Sequence, residues 1–289
     1  MTVGGTVPAV PSSLLEPLWD QFCALLPQRP EFDPTHPLGC HRRRIPDETV
    51  FRLVVEALVH GSGYERIATA ECSDWTIRDR LKQWSSLGLA QQLHRISLAG
   101  YDRMIGLDLE DLSADGCTTK APCAGEKAGP SPVDRAKQGL KRSTMVDGDG
   151  IPLGIASSGA NRHDSKLLEP TIEAATGQLG ALPEHATVHL DSAYDGRPSR
   201  QVLDEHALVG EIATKSVPAP VQVGRRWVVE RTNAWMNGYG KLRRCFERNG
   251  AVVDFYLYLA AAFVTVRALI RRARTRYRWE GRPTTRRLK

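Results

Sequence analysis

Along the first third of the chain, apolar residues recur at helical spacing. Leu14 to Leu26 predicts a first amphipathic helix, and a Pro-, His- and Arg-rich stretch from Pro27 to Pro46 follows as a loop. Asp47 and Glu48 open a second helix whose apolar face runs through Phe51, Val54, Val55, Leu58 and Val59 and which ends near Gly61. Two shorter helices follow, Tyr64–Ala68 and Trp75–Ser85, joined by a turn at Cys72-Ser73-Asp74 that offers an N-cap. On the second of these Ile77, Leu81 and Trp84 face inward while Arg78, Arg80 and Lys82 project elsewhere. That is the layout of a helix-turn-helix, which can enter a major groove and is also a common packing unit. The helical pattern then continues from Leu89 to Ile105.

At Leu107 the pattern changes to short apolar runs with turn signals. Leu112–Thr118 predicts a strand carrying Asp115, and Lys120–Leu140, rich in Gly, Pro, Lys and Arg, a surface loop. Ser143–Asp147 and Ile151–Ala156 are strands around Asp147-Gly148-Asp149-Gly150, where both acids are better turn formers than ligands. Asp164 stands where it can cap a helix from Lys166 to Gln178. A strand from Thr187 ends in Asp191, a helix covers Ser199–His206, and a strand Val209–Thr214 comes next. Three consecutive antiparallel strands followed by helical crossovers fit an α/β layer architecture. Asp115 falls in the middle or at the end of its strand and Asp191 at the end of its own; in open α/β sheets such strand ends are where sites form.

From Arg225 to Arg248 the period is helical again. Val228, Thr232, Trp235, Tyr239, Leu242 and Phe246 share one stripe, and Arg226, Glu230, Asn233, Asn237, Lys241 and Arg244 lie opposite. The bland reading is a solvated face with one Arg226–Glu230 pair, worth about 0.3 kcal/mol. The sharper one makes Glu230 a metal ligand whose basic neighbours hold a polyanion. The longest apolar run, Phe255–Val266, is short for a bilayer and predicts a buried helix.

Composition narrows the choice. The 289 residues are 41% hydrophobic and 25% charged, ordinary for a globular protein. The net charge of +6 is unevenly spread: ten Lys/Arg against Glu280 give +9 from Arg267 to Lys289, leaving −3 for the rest. A basic end on a slightly acidic body suits an anionic partner, nucleic acid before membrane. Six scattered cysteines without a C-x-x-C pair, and no basic flank leading into an apolar run at the start, fit a reduced, cytoplasmic protein. His36, Cys40 and His41 lack a fourth ligand at zinc-finger spacing.

Ala114-Asp115-Gly116, Arg135-x-Lys137-x-Gly139-x-Lys141, Val146-Asp147-x-x-Gly150-Ile151-Pro152-Leu153 and Ala160-Asn161-x-His163-Asp164-Ser165-Lys166 follow one another in order. Leu190-Asp191-Ser192-Ala193-Tyr194-Asp195 and Val229-Glu230-Arg231-Thr232-x-Ala234-Trp235 complete the series. Together these motifs resemble the core of DDE-type insertion-sequence transposases, over roughly residues 14–272. The resemblance implies a ribonuclease-H-like mixed sheet flanked by helices, preceded by an all-α module with the helix-turn-helix-like segment. It implies that Asp115, Asp191 and Glu230 are the catalytic carboxylates and bind two Mg²⁺ ions, with Mn²⁺ as a substitute. A subgroup carries a Tyr-x-x-Arg-x-x-x-Glu-x-x-x-x-x-x-Lys signature. Arg226 and Glu230 hold their places in it, Val223 and Asn237 stand at the other two positions, and Lys241 lies one turn beyond Asn237.

The expected division is a disordered 1–12, a helical, DNA-binding 13–106, a catalytic 107–272 with its C-terminal helix, and a basic tail 273–289. The expected DNA contacts are Arg226, Arg231, Lys241, Arg243 and Arg244 around the glutamate, with Arg78, Arg80 and Lys82 on the helix-turn-helix. Tyr194 and Trp227 are expected to pack inside rather than stack on a base. The implied activity is cutting at terminal inverted repeats and joining the 3′ ends to target DNA, by a dimer or larger complex on double-stranded DNA, away from membranes and with the nucleoid. A DNA-binding protein without catalysis and a nuclease of the same fold stay open as alternatives.

Overall fold

The computed structural model describes residues 10–29, 43–214 and 225–277. Its first half is helical: α1 (Ser12–Ala24), α2 (Asp47–His60), α3 (Tyr64–Ile67), α4 (Asp74–Ser86) and α5 (Leu89–Met104). Helix α4 starts where Ser73 can cap it, its Oγ accepting from the Thr76 amide at 3.3 Å. Residues 10–12, expected to be disordered, instead deliver a buried Val10 and the start of α1. The remainder of that segment, the His36/Cys40/His41 group and Val223 lie outside the described residues.

The sheet consists of β1 (Asp111–Lys120), β2 (Gly129–Pro130), β3 (Gln138–Val146), β4 (Pro152–Gly159), β5 (Thr187–Leu190) and β6 (Val209–Ile212). Strand β3 is antiparallel to β1, β2 and β4, whereas β5 is parallel to β1 and to β6. This is the mixed sheet anticipated, with two differences. The Lys120–Leu140 loop contains the short β2, and β3 begins at Gln138. Helices α6 (Leu168–Leu179) and α7 (Arg197–Glu205) are the crossovers, and α6 lies against β3 and β4. Apolar residues of the two layers, among them Leu112, Met145, Leu153, Ile172, Val188 and Leu190, form one core.

The long stripe after Arg225 does not form one helix. Helix α8 (Trp227–Asn237) stops at Gly238, a short α9 (Gly240–Arg243) follows, and Phe246 is 44% exposed. The break has a packing reason. Gly61, left-handed at φ 71°, ends α2 directly against the backbone of Gly240. A Cβ on Gly240 would overlap the backbone of His60 and Gly61. Gly240→Ala is therefore expected to destabilise the protein by about 2 kcal/mol despite the better helix propensity of alanine, read as a lower urea midpoint at unchanged slope.

The apolar run at Phe255 is the middle of a 27-residue helix, α10 (Gly250–Arg276), capped by Asn249, whose Oδ1 accepts from the Val252 amide at 3.1 Å. Its length and apolarity would suffice to cross a membrane, yet most of that stretch is buried in the protein. It packs against α1, α4, α5, α8, α9 and β4. The sequence boundary near Gly106 is thus not a boundary in the core: Phe22, Phe51 and Trp84 of the helical half sit in one cluster with Phe255 and Phe263. The residues from Ala273 to Arg276, expected in a basic tail, are the last turn of α10.

Candidate functional site

The parallel register of β1 and β5 aligns Ser113 with His189. Two residues further along each strand, with the same side-chain parity, come Asp115 on β1 and Asp191 just past the end of β5. Asp191 caps a 3₁₀ turn over Ser192–Tyr194, its Oδ1 accepting from the Ala193 amide at 2.9 Å. Asp115 is half-buried, and its carboxyl is pushed up to about 7. Burial is the largest cause, followed by the charge of Asp191; the Gly116 amide opposes, and Asp164 and Glu230 add to the rise. Asp115 therefore feels all the other acids of the site.

Glu230 reaches this neighbourhood because α8 lies across β1 and β3. The helix is fastened to the β3–β4 turn. Thr232 Oγ1 donates to the Gly150 carbonyl at 2.6 Å, and Arg231 Nη2 to the Asp149 carbonyl at 2.7 Å. The turn in turn is held by Asp147, whose Oδ1 accepts from the Asp149 and Ile151 amides at 3.0 and 2.7 Å, so both acids there are structural as expected. Glu230 itself is exposed.

Beneath α8, Arg142 of β3 is 1% exposed and has no carboxylate partner among the described residues. It donates to Asn237 Oδ1 at 2.7 Å and to the Asn233 carbonyl at 3.2 Å, and approaches Cys117 Sγ at 3.4 Å. Burial lowers its pKa. Asn237, at the lysine position of the subgroup signature, is thus committed to a buried guanidinium.

Two residues near the acids are not singled out by the sequence. Asp164 does not cap the following helix as expected: His163 caps the turn over Asp164–Lys166, and Asp164 lies against Gly116, where a Cβ would overlap its Oδ1, and pairs with Lys141 at 3.0 Å. Their shared place in the ordered motif series is the available signal. Arg142 carries no signal, since a cation within a strand reads as solvent-facing. Tyr194 is buried as expected, whereas Trp227 is 41% exposed.

Two expected DNA contacts are corrected. Arg80 is 3% exposed and turns inward to pair with Asp47, because position 80 falls on the packed side of α4. Lys241 is 6% exposed and pairs with Glu247 at 2.8 Å, its ammonium 4.4 Å from the centre of the Tyr64 ring. The break at Gly238 takes Lys241 off the face of Glu230. Arg231 is half-buried between the Trp227 and Trp235 rings, at 4.6 and 4.8 Å. Arg78, Lys82, Arg243 and Arg244 are exposed, with Arg78 paired to Asp74 and Glu65.

Among the described residues no three His, Cys, Asp or Glu side chains converge closely enough to hold one ion as they stand. The donor chemistry nonetheless fits a hard divalent cation: the groups are all carboxylates, and their mutual repulsion at Asp115 is what such an ion relieves.

A family described as "Transposase DDE domain" matches residues 109–264. The chain is 34% identical over 143 residues to a putative transposase for insertion sequence element IS402 of Burkholderia cepacia, covering 48% of this chain and 68% of that protein. It is 35% identical over 80 residues to the transposase for insertion sequence element IS1106 of Neisseria meningitidis serogroup B, covering 28% of this chain and 25% of that one. Among solved structures, the Mos1 transposase paired-end complex with left transposon end aligns over 94% of this chain and 88% of its own, at 11% identity and a TM-score of 0.33. The Mos1 mariner paired end complex with Mn aligns over 98% and 91%, at 12% identity and the same TM-score. Both likenesses are too slight to argue from.

Proposed function

The chain belongs to the family of transposase DDE domains, and from that premise we propose that it cuts DNA at the terminal inverted repeats of an insertion sequence and joins the 3′ ends to target DNA. The observation that carries this reading is the gathering of carboxylates around Asp115, with Asp191 level with it across the strand pair and Glu230 and Asp164 close enough to raise its carboxyl. Asp115, Asp191 and Glu230 would hold two Mg²⁺ or Mn²⁺ ions, which when bound supply charge neutralisation at the scissile phosphate. The protein's own residues would fix the geometry: β1 and β5 carry two of the acids side by side, and the Asp147 turn and Arg142 hold α8, which carries the third, across β1 and β3. In the first step water attacks the phosphorus in line, and the 3′ oxygen leaves as a hydroxyl. In the second that hydroxyl attacks a target phosphodiester and displaces its 3′ oxygen, so one ester bond forms as another breaks.

Arg226 and Glu230 support membership of the subgroup with the Tyr-Arg-Glu-Lys signature; Asn237, bonded to Arg142, departs from it. Exposed Arg243, Arg244, Arg78 and Lys82, with Arg226, remain the proposed phosphate contacts. Double-stranded DNA and a second copy of this chain on it are the proposed partners.

Incubating the full chain with duplexes carrying the inverted repeats that bracket its reading frame tests the reading. Nicked and joined products that require Mg²⁺ or Mn²⁺ are expected. Sequence-specific binding without nicking would leave only the DNA-binding alternative, and cut ends that never join would leave a nuclease.

A dependence on pH follows from Asp115. Its folded pKa stands above the ordinary carboxylate value, at about 7, so below that pH a proton competes with a cation. Mn²⁺ affinity, read by calorimetry, is expected to rise as pH increases towards 7, by up to about tenfold per unit, and to level above it. Without a cation the sign for stability is reversed. The raised pKa contributes stability that is fully present below pH 3.8 and is lost as pH rises through 7.

A further inference from the structure

One turn along α8 from Glu230, Ala234 opens a groove between α8 and α10. Trp235, Gly238 and Tyr239 form one wall and Val264, Arg267 and Arg271 the other, enclosing about 350 Å³. A second hollow shares Arg267 and Arg271 with it and is lined further by Arg274 and by Ser13 and Leu14 at the start of α1. Arg267, Arg271 and Arg274 follow one another at helical spacing on one side of α10, are all exposed, and make no ion pair among the described residues. Every exposed arginine of this kind costs self-repulsion with the next, and the stacked Arg231 registers it: burial first, and then the charge of Arg271, lower its pKa. Carboxylates do not offset the row: none lines the groove, and Asp149 is taken up by Arg272.

Resting on the proposed function, we infer that this groove is a second DNA-backbone contact, seating the strand that runs on from the phosphate held at Glu230. From Arg267 to Arg274 the helix rises roughly 10 Å. A strand of B-DNA offers one phosphate about every 3.4 Å along its axis, so the row spans about three phosphates. The half-buried Trp235 and the buried Tyr239 give the groove an apolar wall against which a deoxyribose can lie, and no acid among the lining residues faces the phosphates. Contacts of this type position a duplex and carry no sequence information.

The test is duplex binding by the full chain with R267Q/R271Q/R274Q, followed by fluorescence anisotropy over a salt series. A random-sequence duplex and one carrying the inverted repeat are the probes. The inference expects affinity for both to fall by the same factor, about tenfold or more, and the slope of log K against log salt to drop by about 2–3. An equal loss of charge at Arg52, Arg95 and Lys137, none of which lines the groove, should change the slope by less than about one. Unchanged affinity and slope in the groove variant, with the wild type binding normally, would overturn the inference alone. A wild type that binds neither duplex would overturn the transposase reading and this inference together. An intact thermal transition in the groove variant assigns its loss to contact rather than to folding.

Discussion

Replacing Asp115 by Asn is expected to reduce metal-dependent nicking by about a thousandfold or more, while duplex binding is undiminished. Burial first, and then the charges of Asp191, Asp164 and Glu230, raise the carboxyl of Asp115, so a cation there favours its ionised form. The amide keeps its size and removes the charge. Asp191→Asn and Glu230→Gln should behave alike, and pairing two of these changes should cost little more than one, since a site that has lost one member of a joint constellation has little left to lose. Gel assays of nicking and joining beside anisotropy measurements of binding separate the two readouts. Retained cleavage in any one variant removes that residue from the set.

The second large effect concerns stability rather than chemistry. Lys241→Ala is expected to destabilise the fold by about 3 kcal/mol, because it strands Glu247, which is mostly buried, without its partner. Tyr64 still donates to Glu247 at 2.7 Å, but a neutral hydroxyl does not replace an ammonium. For a chain of this size that is a fall of roughly 6–12 °C in melting temperature. DNA affinity of the folded variant should stay within about twofold of wild type, since a buried ammonium neutralises no phosphate. The opposite pattern, unchanged melting and weakened binding, would restore Lys241 to the DNA face from which its burial removes it.

What is legible in the sequence divides along a physical line. The strand positions of Asp115, in the middle of β1, and of Asp191, just past the end of β5, can be read because alternation and turn residues fix strand positions locally, and the parallel register then does the rest. The capping of α4 by Ser73 and the turn role of Asp147 are equally local and equally readable. Lys241 and Arg80 are misplaced by sequence because their fate depends on what approaches from elsewhere in the fold: Tyr64 and Glu247 in one case, Asp47 in the other. Helical periodicity carries the stripe through Gly238 and Gly240 since nothing nearby shows that Gly61 must touch Gly240. Asp164 shows the same limit from the other side. The local sequence offers it as a helix cap, but His163 takes that role, and only the tertiary fold brings Asp164 against Gly116 and Lys141.

Helix α10 has a mechanical consequence. It is the shared spine of α1, α4 and α5 and also touches α8, α9 and β4, so the helix-turn-helix-like half and the acid-bearing sheet are cast in one piece. Two modules joined by a linker can adjust their spacing to a double helix; these two halves share one core and cannot move apart to do so. A duplex engaged at α4 and at Asp115 together would have to conform to their fixed spacing, and any curvature this requires falls on the DNA, at roughly 1–6 kcal/mol for a bend of 40–90° over 20–30 base pairs. Ends that kink readily at pyrimidine–purine steps would then be favoured over stiff A-tracts at positions that no side chain touches.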